Sequence, residues 1–346
     1  MVTAGVRPQA RPVSDVLAWG RRVLDPLLHA SVDTLPASMR RISGYHLGWW
    51  DEHGRPSEIA GGKAIRPALT LLCAQAVTGD PDAAAPAAVA VELVHNHSLL
   101  HDDVLDGDVT RRRRTTAWSM FGVNPAILAG DALLSLAFDV LATSDHPAAA
   151  EGARILNTAV LNLLDGQSAD VEFESRADVG VTECLAMAEG KTAALISGSC
   201  ALGALFGDGS PRQVAALRAF GHHLGMAFQL VDDLLGIWGD PAVTGKPVHS
   251  DLDSRKKSLP VVAALTSDTT AGRELSALYH RDQPFSESDL QHAAELIEEA
   301  GGRSWTKNQA DDQLTQALRE LHTAGTAEPA GAELASLAKL VTHRDH

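Results

Sequence analysis

Two segments far apart in the chain end alike, and that likeness limits the fold more than any other feature. Val94–Asp106 reads VHNHSLLHDDVLD and Met226–Gly236 reads MAFQLVDDLLG. Each is an apolar helical run that finishes on paired aspartates. The apolar part asks for burial, while two neighbouring carboxylates ask for water or a cation. Two such helices facing one another would form a carboxylate-lined mouth above an apolar tube.

The rest of the composition agrees with a helical frame. The chain has 346 residues, 45% of them apolar and only 4% aromatic. Ala, Leu and Val carry the apolar content, and Ala and Leu are strong helix formers. Alternating β-branched runs are absent. These features predict an all-α fold, a single helical bundle around a central apolar tube, over residues 14–346, with a disordered tail over 1–13. Ser14 opens an amphipathic stretch to Val32. Asn124-Pro125 and Ser210-Pro211 read as an N-cap followed by a first-turn proline, for helices reaching Ala142 and Trp238. Ser286 with Asp289 resembles a capping box, and Gly301-Gly302 closes that helix. Gly239–Lys257 stands out as a long polar loop of the kind that forms lids.

Charge excludes some partners. Lys and Arg total 29 against 44 Asp and Glu, a net charge of −15. A nucleic-acid footprint needs the opposite sign, and so does adsorption to an anionic membrane. No uninterrupted apolar run reaches the length of a membrane span, and no apolar leader is visible, so a cytoplasmic protein is expected. Cys73, Cys184 and Cys200 have no metal-site spacing and read as buried thiols.

The chemistry-bearing residues follow from spacing. Asp102 and Asp106 are four apart and share a helix face, with Asp103 between them. Mg²⁺ suits such a pair because it takes few carboxylates, keeps waters and accepts phosphate oxygens; a solvated acidic helix end is the alternative. Asp232 and Asp233 end an apolar helix, where solvated charge is out of place, and Gln229 precedes them by one turn. Lys63 and Arg66 lie near a helix start, where free backbone N–H groups and cations together bind anions. Arg111 and Arg112 follow the first aspartates. Lys191 sits in an Ala-rich apolar helix, either partnered or snorkelling to solvent. His95, two turns before Asp102 on one face, is a ligand or a core histidine.

Taken in order, these motifs resemble the polyprenyl synthase family of head-to-tail isoprenyl diphosphate synthases. The likeness runs over about residues 55–265: GGKxxRP at Gly61–Pro67, DDxxD and the paired arginines at Asp102–Arg112, a Gly130-Asp131 helix, Gly166-Gln167-x-x-Asp170, Lys191-Thr192, and Gln229 with Asp232-Asp233, then Gly245-Lys246 and Asp251 to Lys256. The resemblance implies Mg²⁺, three ions with bound diphosphate, on Asp102, Asp103, Asp106, Asp232 and Asp233. It gives catalytic parts to Lys191, Arg111, Thr192 and Gln229. Arg111, Lys191, Lys246 and Lys256 would hold the allylic diphosphate; Lys63, Arg66, His95 and Arg112 would hold isopentenyl diphosphate. A homodimer is implied as well.

Three positions depart from the pattern: Gly236 replaces the last aspartate of the second motif, Arg113 a glycine and Thr115 a proline. Product length in the family is set by residues four and five before the first aspartate, here Ser98 and His97. Small Ser98 and intermediate His97 point to geranylgeranyl diphosphate. A terpene cyclase on the same scaffold would not need the second diphosphate site. A non-catalytic subunit of a heteromeric synthase would be free to lose aspartates, and both leading pairs are intact.

Overall fold

The computed structural model of the protein describes residues 9–57, 62–77, 80–241, 247–281 and 283–342. Helix takes up 76% of the chain and strand 2%, so the all-α expectation holds. Residue contacts divide the chain into two compact units. Unit 1 comprises residues 1–158, 198–219 and 320–337; unit 2 comprises 159–197, 220–319 and 338–346.

Unit 1 holds α1 (Val13–Asp33), α2 (Ala37–His46), α3 (Ile65–Val77), α4 (Ala85–Leu105), a hairpin of β1 (Thr110–Arg111) and β2 (Arg114–Thr115), α5 (Ala117–Phe121) and α6 (Val123–Ala142). Helix α4 packs against α1, α3 and α6. A helix enclosed in this way must be apolar all round, which the Ala-, Val- and Leu-rich run to Val94 supplies; Leu93, Val94 and Leu100 of α4, Leu69 and Leu72 of α3 and Leu133 of α6 are all buried. Among the described residues only α6 is long and apolar enough to cross a membrane by length and composition. It packs against α2, α4 and α5. The N-terminal segment is better fixed than its composition suggests. Arg11 donates to both oxygens of fully buried Glu333, at 2.8 and 2.6 Å, and its guanidinium lies over Trp19. The first eight residues of the expected tail lie outside the described residues.

The remaining helices are α7 (Ala149–Ser175), α8 (Val181–Ala188), α9 (Ala194–Phe206), α10 (Pro211–Trp238), α11 (Ser250–Asp253), α12 (Leu259–Leu265), α13 (Thr270–Tyr279), α14 (Glu287–Glu299), α15 (Gly302–Thr323) and α16 (Ala330–Thr342). Unit 2 is cored by two clusters. One gathers Phe173, Cys184, Met187, Leu230, Val231 and Leu259; the other gathers Ile237, Leu252, Val261, Leu275, Leu296 and Ile297. The punctuation at Ser210-Pro211 and the capping box of Ser286 with Asp289 fall where the sequence puts them. The start of α6 does not: it begins at Val123, ahead of Asn124, because Gly122 at φ +96° breaks the chain after α5.

Part of the expected lid is anchored. Leu252 is fully buried. Arg255 donates to the carbonyls of Tyr279, Arg281 and Gln283 and covers the ring of Phe285. Residues 242–246, including Lys246, lie outside the described residues, as does Gly61.

Candidate active site

In unit 1, α4, the hairpin and the start of α3 bring a group of cations together. Arg66, one residue into α3, points its Nη1 at His95 Nε2, 3.4 Å away. The hairpin turn carries Arg112 and Arg113 at φ +52° and +62°, a left-handed pair that strands joined by two residues require. The turn is fastened to α2: Arg114 donates to the carbonyls of Tyr45 and Trp50 and stacks 3.5 Å over Tyr45, whose hydroxyl returns a bond to Thr115. Gly62 meets the Arg112 guanidinium so closely that a Cβ there would stand 2.4 Å from its nitrogen. Lys63 is exposed beside it. Tyr45, His46, Asp103, Arg111, Arg112 and Arg114 line one pocket.

The electrostatics of this group are one-sided. Burial, and then the charges of Arg66, Arg112 and Arg111, hold His95 well below the usual imidazole range. Burial followed by Arg111 and Arg112 lowers His46 to about 3. Both imidazoles are therefore neutral at physiological pH. Glu92, buried and hydrogen bonded to Asn96, opposes Arg66 and Arg112. Burial first, and then this concave set of guanidiniums, keeps the two histidines neutral, an arrangement that leaves the positive charge free to receive an anion.

The first aspartates divide by direction. Asp103 is 1% exposed and accepts from Arg111 Nε at 2.6 Å. Burial raises its pKa against the pull of that arginine. Asp102 is half-buried and Asp106, the residue after the helix, is exposed. Asp102 and Asp106 thus lie nearer solvent, while Asp103, grouped with the metal ligands by family resemblance, is turned inward and pairs with Arg111.

Unit 2 repeats the division. Asp232 is exposed; Asp233 is 3% exposed with both oxygens engaged. Gln229 Nε2 donates to one at 2.7 Å and the Leu259 amide, opening α12, donates to the other at 2.8 Å. Gln229 Oε1 in turn accepts from the Thr192 hydroxyl at 2.5 Å. Thr192, Gln229, Asp233 and α12 therefore form one hydrogen-bonded chain. Burial pushes Asp233 up to about 7, countered by Lys256. For Lys256 burial alone would lower the pKa, but Asp233, Asp251, Asp170 and Asp232 together outweigh it and keep the ammonium charged.

Lys191 is partnered rather than snorkelling: its Nζ lies 2.5 Å from Asp170 Oδ2. It stands on a π-helical turn, Glu189–Ala193, between α8 and α9, a local irregularity common at functional sites. Two glycines account for the turn. A Cβ on Gly166 would stand 2.2 Å from the Lys191 amide nitrogen, and one on Gly190 would stand 2.6 Å from the Asn162 carbonyl. Backbone thus rests on backbone. Gln167, beside this seat, is buried with neither amide atom partnered. The space of the absent aspartate at 236 is also used: a Cβ on Gly236 would stand 2.2 Å from Asp251 Oδ2.

His97 and Ser98 are both buried on α4. Ser98 Oγ bonds to the His95 carbonyl. The His97 ring turns towards α6, close to Gly130 and His101, and burial followed by the charge of His101 lowers its pKa to about 4. Sequence reasoning missed His46, Glu92 and the partnership of Lys191 with Asp170. The only sequence signal for the last is the pair of glycines that lets α7 and the π-turn touch.

An all-helical chain with one aspartate pair near the end of α4, another within α10, and a converging group of arginines fits one class of protein, and sequence comparison assigns it. The polyprenyl synthetase profile matches residues 55–297, and the chain belongs to that family. The (2E,6E)-farnesyl diphosphate synthase of Mycobacterium tuberculosis is 49% identical over 333 residues, 95% of this chain and 92% of that protein. The geranylgeranyl diphosphate synthase of the same organism is 44% identical over 95% of this chain and 93% of its own length. A crystal structure of a polyprenyl synthetase from Streptomyces coelicolor superposes with a TM-score of 0.92 at 45% identity, covering 95% of this chain and 99% of that one.

Proposed function

We propose that this protein is a magnesium-dependent prenyltransferase that joins isopentenyl diphosphate head-to-tail to an allylic diphosphate. The observation that carries the reading is the converging cation group of half-buried Arg66 and Arg111 and exposed Arg112 around neutral His95 and His46. A cyclase that ionises one prenyl diphosphate would not need this second anion site. The two relatives above share the reading by name.

Asp102, Asp106 and Asp232 are assigned to Mg²⁺, since their carboxylates are exposed or half-exposed while Asp103 and Asp233 are held inside. Bound there, with three ions for one diphosphate, Mg²⁺ neutralises the leaving group. Lys191, Arg111 and Lys256 add fixed positive charge to the same group, with Lys246 joining them by family likeness. Lys63, Arg66, His95 and Arg112 orient isopentenyl diphosphate. Thr192 and Gln229 set the position of the turn of α10 that bears Asp232.

The allylic C–O bond breaks with both electrons going to diphosphate. The double bond of isopentenyl diphosphate attacks the cation, and the adjacent carbon loses its proton to the released diphosphate. The products are one longer allylic diphosphate and one diphosphate. Water has to be kept from the cation, which the apolar wall of α4 serves.

Geranylgeranyl diphosphate is the proposed product, on the small Ser98 and intermediate His97. The 49% identity to a farnesyl synthase favours a fifteen-carbon product as the second reading. A homodimer is the proposed assembly: α6 exposes Val123 and Leu128, and α7 exposes Leu161 and Leu164. The soluble cytoplasm is the proposed location.

The test is incubation with labelled isopentenyl diphosphate, Mg²⁺ and each allylic primer, with products sized by chromatography. Growth to twenty carbons supports both activity and length, and growth to fifteen keeps the activity alone. Hydrocarbon released from primer without label would replace the transferase by a cyclase. No reaction with any primer would refute the synthase reading for the isolated chain.

A further inference from the structure

One group of ligating side chains stands apart from the residues assigned to magnesium and diphosphate, although His97 in it also bears on product length. His97 and His101 stand four apart on α4, hence on one face, and Asp131 comes from α6, which packs on α4. One ligand atom of each lies within 4.8 Å of the other two. His101 Nε2 is 3.5 Å from Asp131 Oδ1 and 3.1 Å from the Ile127 carbonyl. The two imidazole centroids are 4.4 Å apart with planes tilted by 58°, so the rings converge without stacking.

Two further facts call for an occupant. His97 is 3% exposed, and apart from the backbone at Gly130 its ring nitrogens have no hydrogen-bond partner among the described residues. A buried imidazole with a ring nitrogen left unpartnered is costly, and an apolar side chain would fill the same space without that cost. Gly130 lets both rings sit directly against α6: a Cβ there would stand 2.4 Å from His101 Nε2 and 3.4 Å from His97 Nδ1.

We propose that His97, His101 and Asp131 form a transition-metal site of the zinc class, separate from the magnesium carboxylates. Two imidazoles and one carboxylate suit Zn²⁺, Co²⁺ or Ni²⁺, whereas Mg²⁺ demands oxygen. Zinc bonds of about 2.0–2.2 Å in a tetrahedron place ligand atoms about 3.4 Å apart. The three side chains therefore need to close by about 1.4 Å at most, which side-chain rotation supplies. Three protein ligands leave the fourth position to water. Asp131, 56% exposed, offers the way in from solvent. Because His101 adjoins Asp102, an ion here fixes the turn of α4 just ahead of the first aspartate.

The test uses the full chain, stripped by chelation and held in excess Mg²⁺ so that carboxylate sites are filled. Zn²⁺ is then titrated against a chromophoric chelator. One equivalent per chain is expected, with affinity at least tenfold weaker in His97→Phe and in Asp131→Asn and unchanged in Asp102→Asn. His97→Phe fills the buried space and Asp131→Asn is at the surface; circular dichroism melts establish that each variant is folded. Co²⁺ in place of Zn²⁺ should give a visible absorption band that excess Mg²⁺ does not remove and that both variants lose. No stoichiometric uptake under excess Mg²⁺ would overturn the proposal. So would uptake that survives in both folded variants, or that disappears in Asp102→Asn.

Discussion

Replacing Gln229 with leucine tests whether the chain from Thr192 to α12 holds the second aspartate pair. At pH 8, above the value of about 7 to which burial pushes Asp233, the carboxylate is largely ionised. Leucine removes the bond from Gln229 Nε2 to Asp233 Oδ1 and the acceptor of the Thr192 hydroxyl. A hydrogen bond to a charged group contributes about 1.5–3 kcal/mol and a neutral one about 0.5–1.5, so the loss should be about 3 kcal/mol. Asp233→Asn should cost far less. A flipped Gln229 amide can accept from the asparagine NH₂ and donate to Thr192, while the asparagine oxygen still accepts from Leu259. Leucine at 229 combined with asparagine at 233 should then be more stable than leucine alone, since an uncharged amide rather than an ionised oxygen is left without its partner, with a coupling of about 2 kcal/mol. Urea unfolding of the four proteins at pH 8 gives the cycle. A Gln229→Leu cost below about 1 kcal/mol, or single effects that simply add within about 0.5 kcal/mol, would refute the idea that these residues act as one chain.

Three other outcomes are expected. His46 has a folded pKa of about 3 against 6.5 unfolded, so the unfolded chain takes up its proton first and stability falls as pH drops from 6.5 towards 3; His46→Gln should remove about 2 kcal/mol of the loss between pH 7 and pH 5, read as the wild-type-minus-variant difference in urea midpoints. Arg113→Gly should stabilise the hairpin by about 0.5–1 kcal/mol, because glycine takes a positive φ without strain but also frees the unfolded chain; a lower melting temperature would contradict this. Gly236→Asp, which restores the usual family residue, should destabilise by roughly 2 kcal/mol by forcing its side chain on Asp251, and Asp251→Ala in the same chain should recover the loss; a stabilised single variant would show that Asp251 does not fill that space.

What the sequence discloses and what it conceals divide along physical lines. Local devices are legible. Ser286 with Asp289, and Pro211 after Ser210, act through bonds within one turn, and each appears where the residues predict. The four-residue spacing of Asp102 and Asp106 likewise contains its own geometry. The inward placement of Asp103 does not, because it depends on Arg111 returning from a hairpin whose turn is set by left-handed arginines. The π-turn at Lys191 has no local signature beyond Gly190, since it arises where α7 meets it. The start of α6 was hidden for the opposite reason: Pro125 is tolerated inside a first turn as well as at its head, so it marks the region and not the residue.

The contact of Gly166 and Gly190 has a consequence for how evolution can act on Lys191. A side chain held by other side chains drifts as its neighbours are exchanged, because each new rotamer shifts it slightly. Here the lysine's main chain rests directly on a neighbouring helix, at a distance no Cβ would allow. Its reference point is therefore made of atoms that every residue shares. Mutations that resize the surrounding apolar cluster can change chain fit or stability while the root of that ammonium keeps its place, and only the two glycines themselves are closed to change.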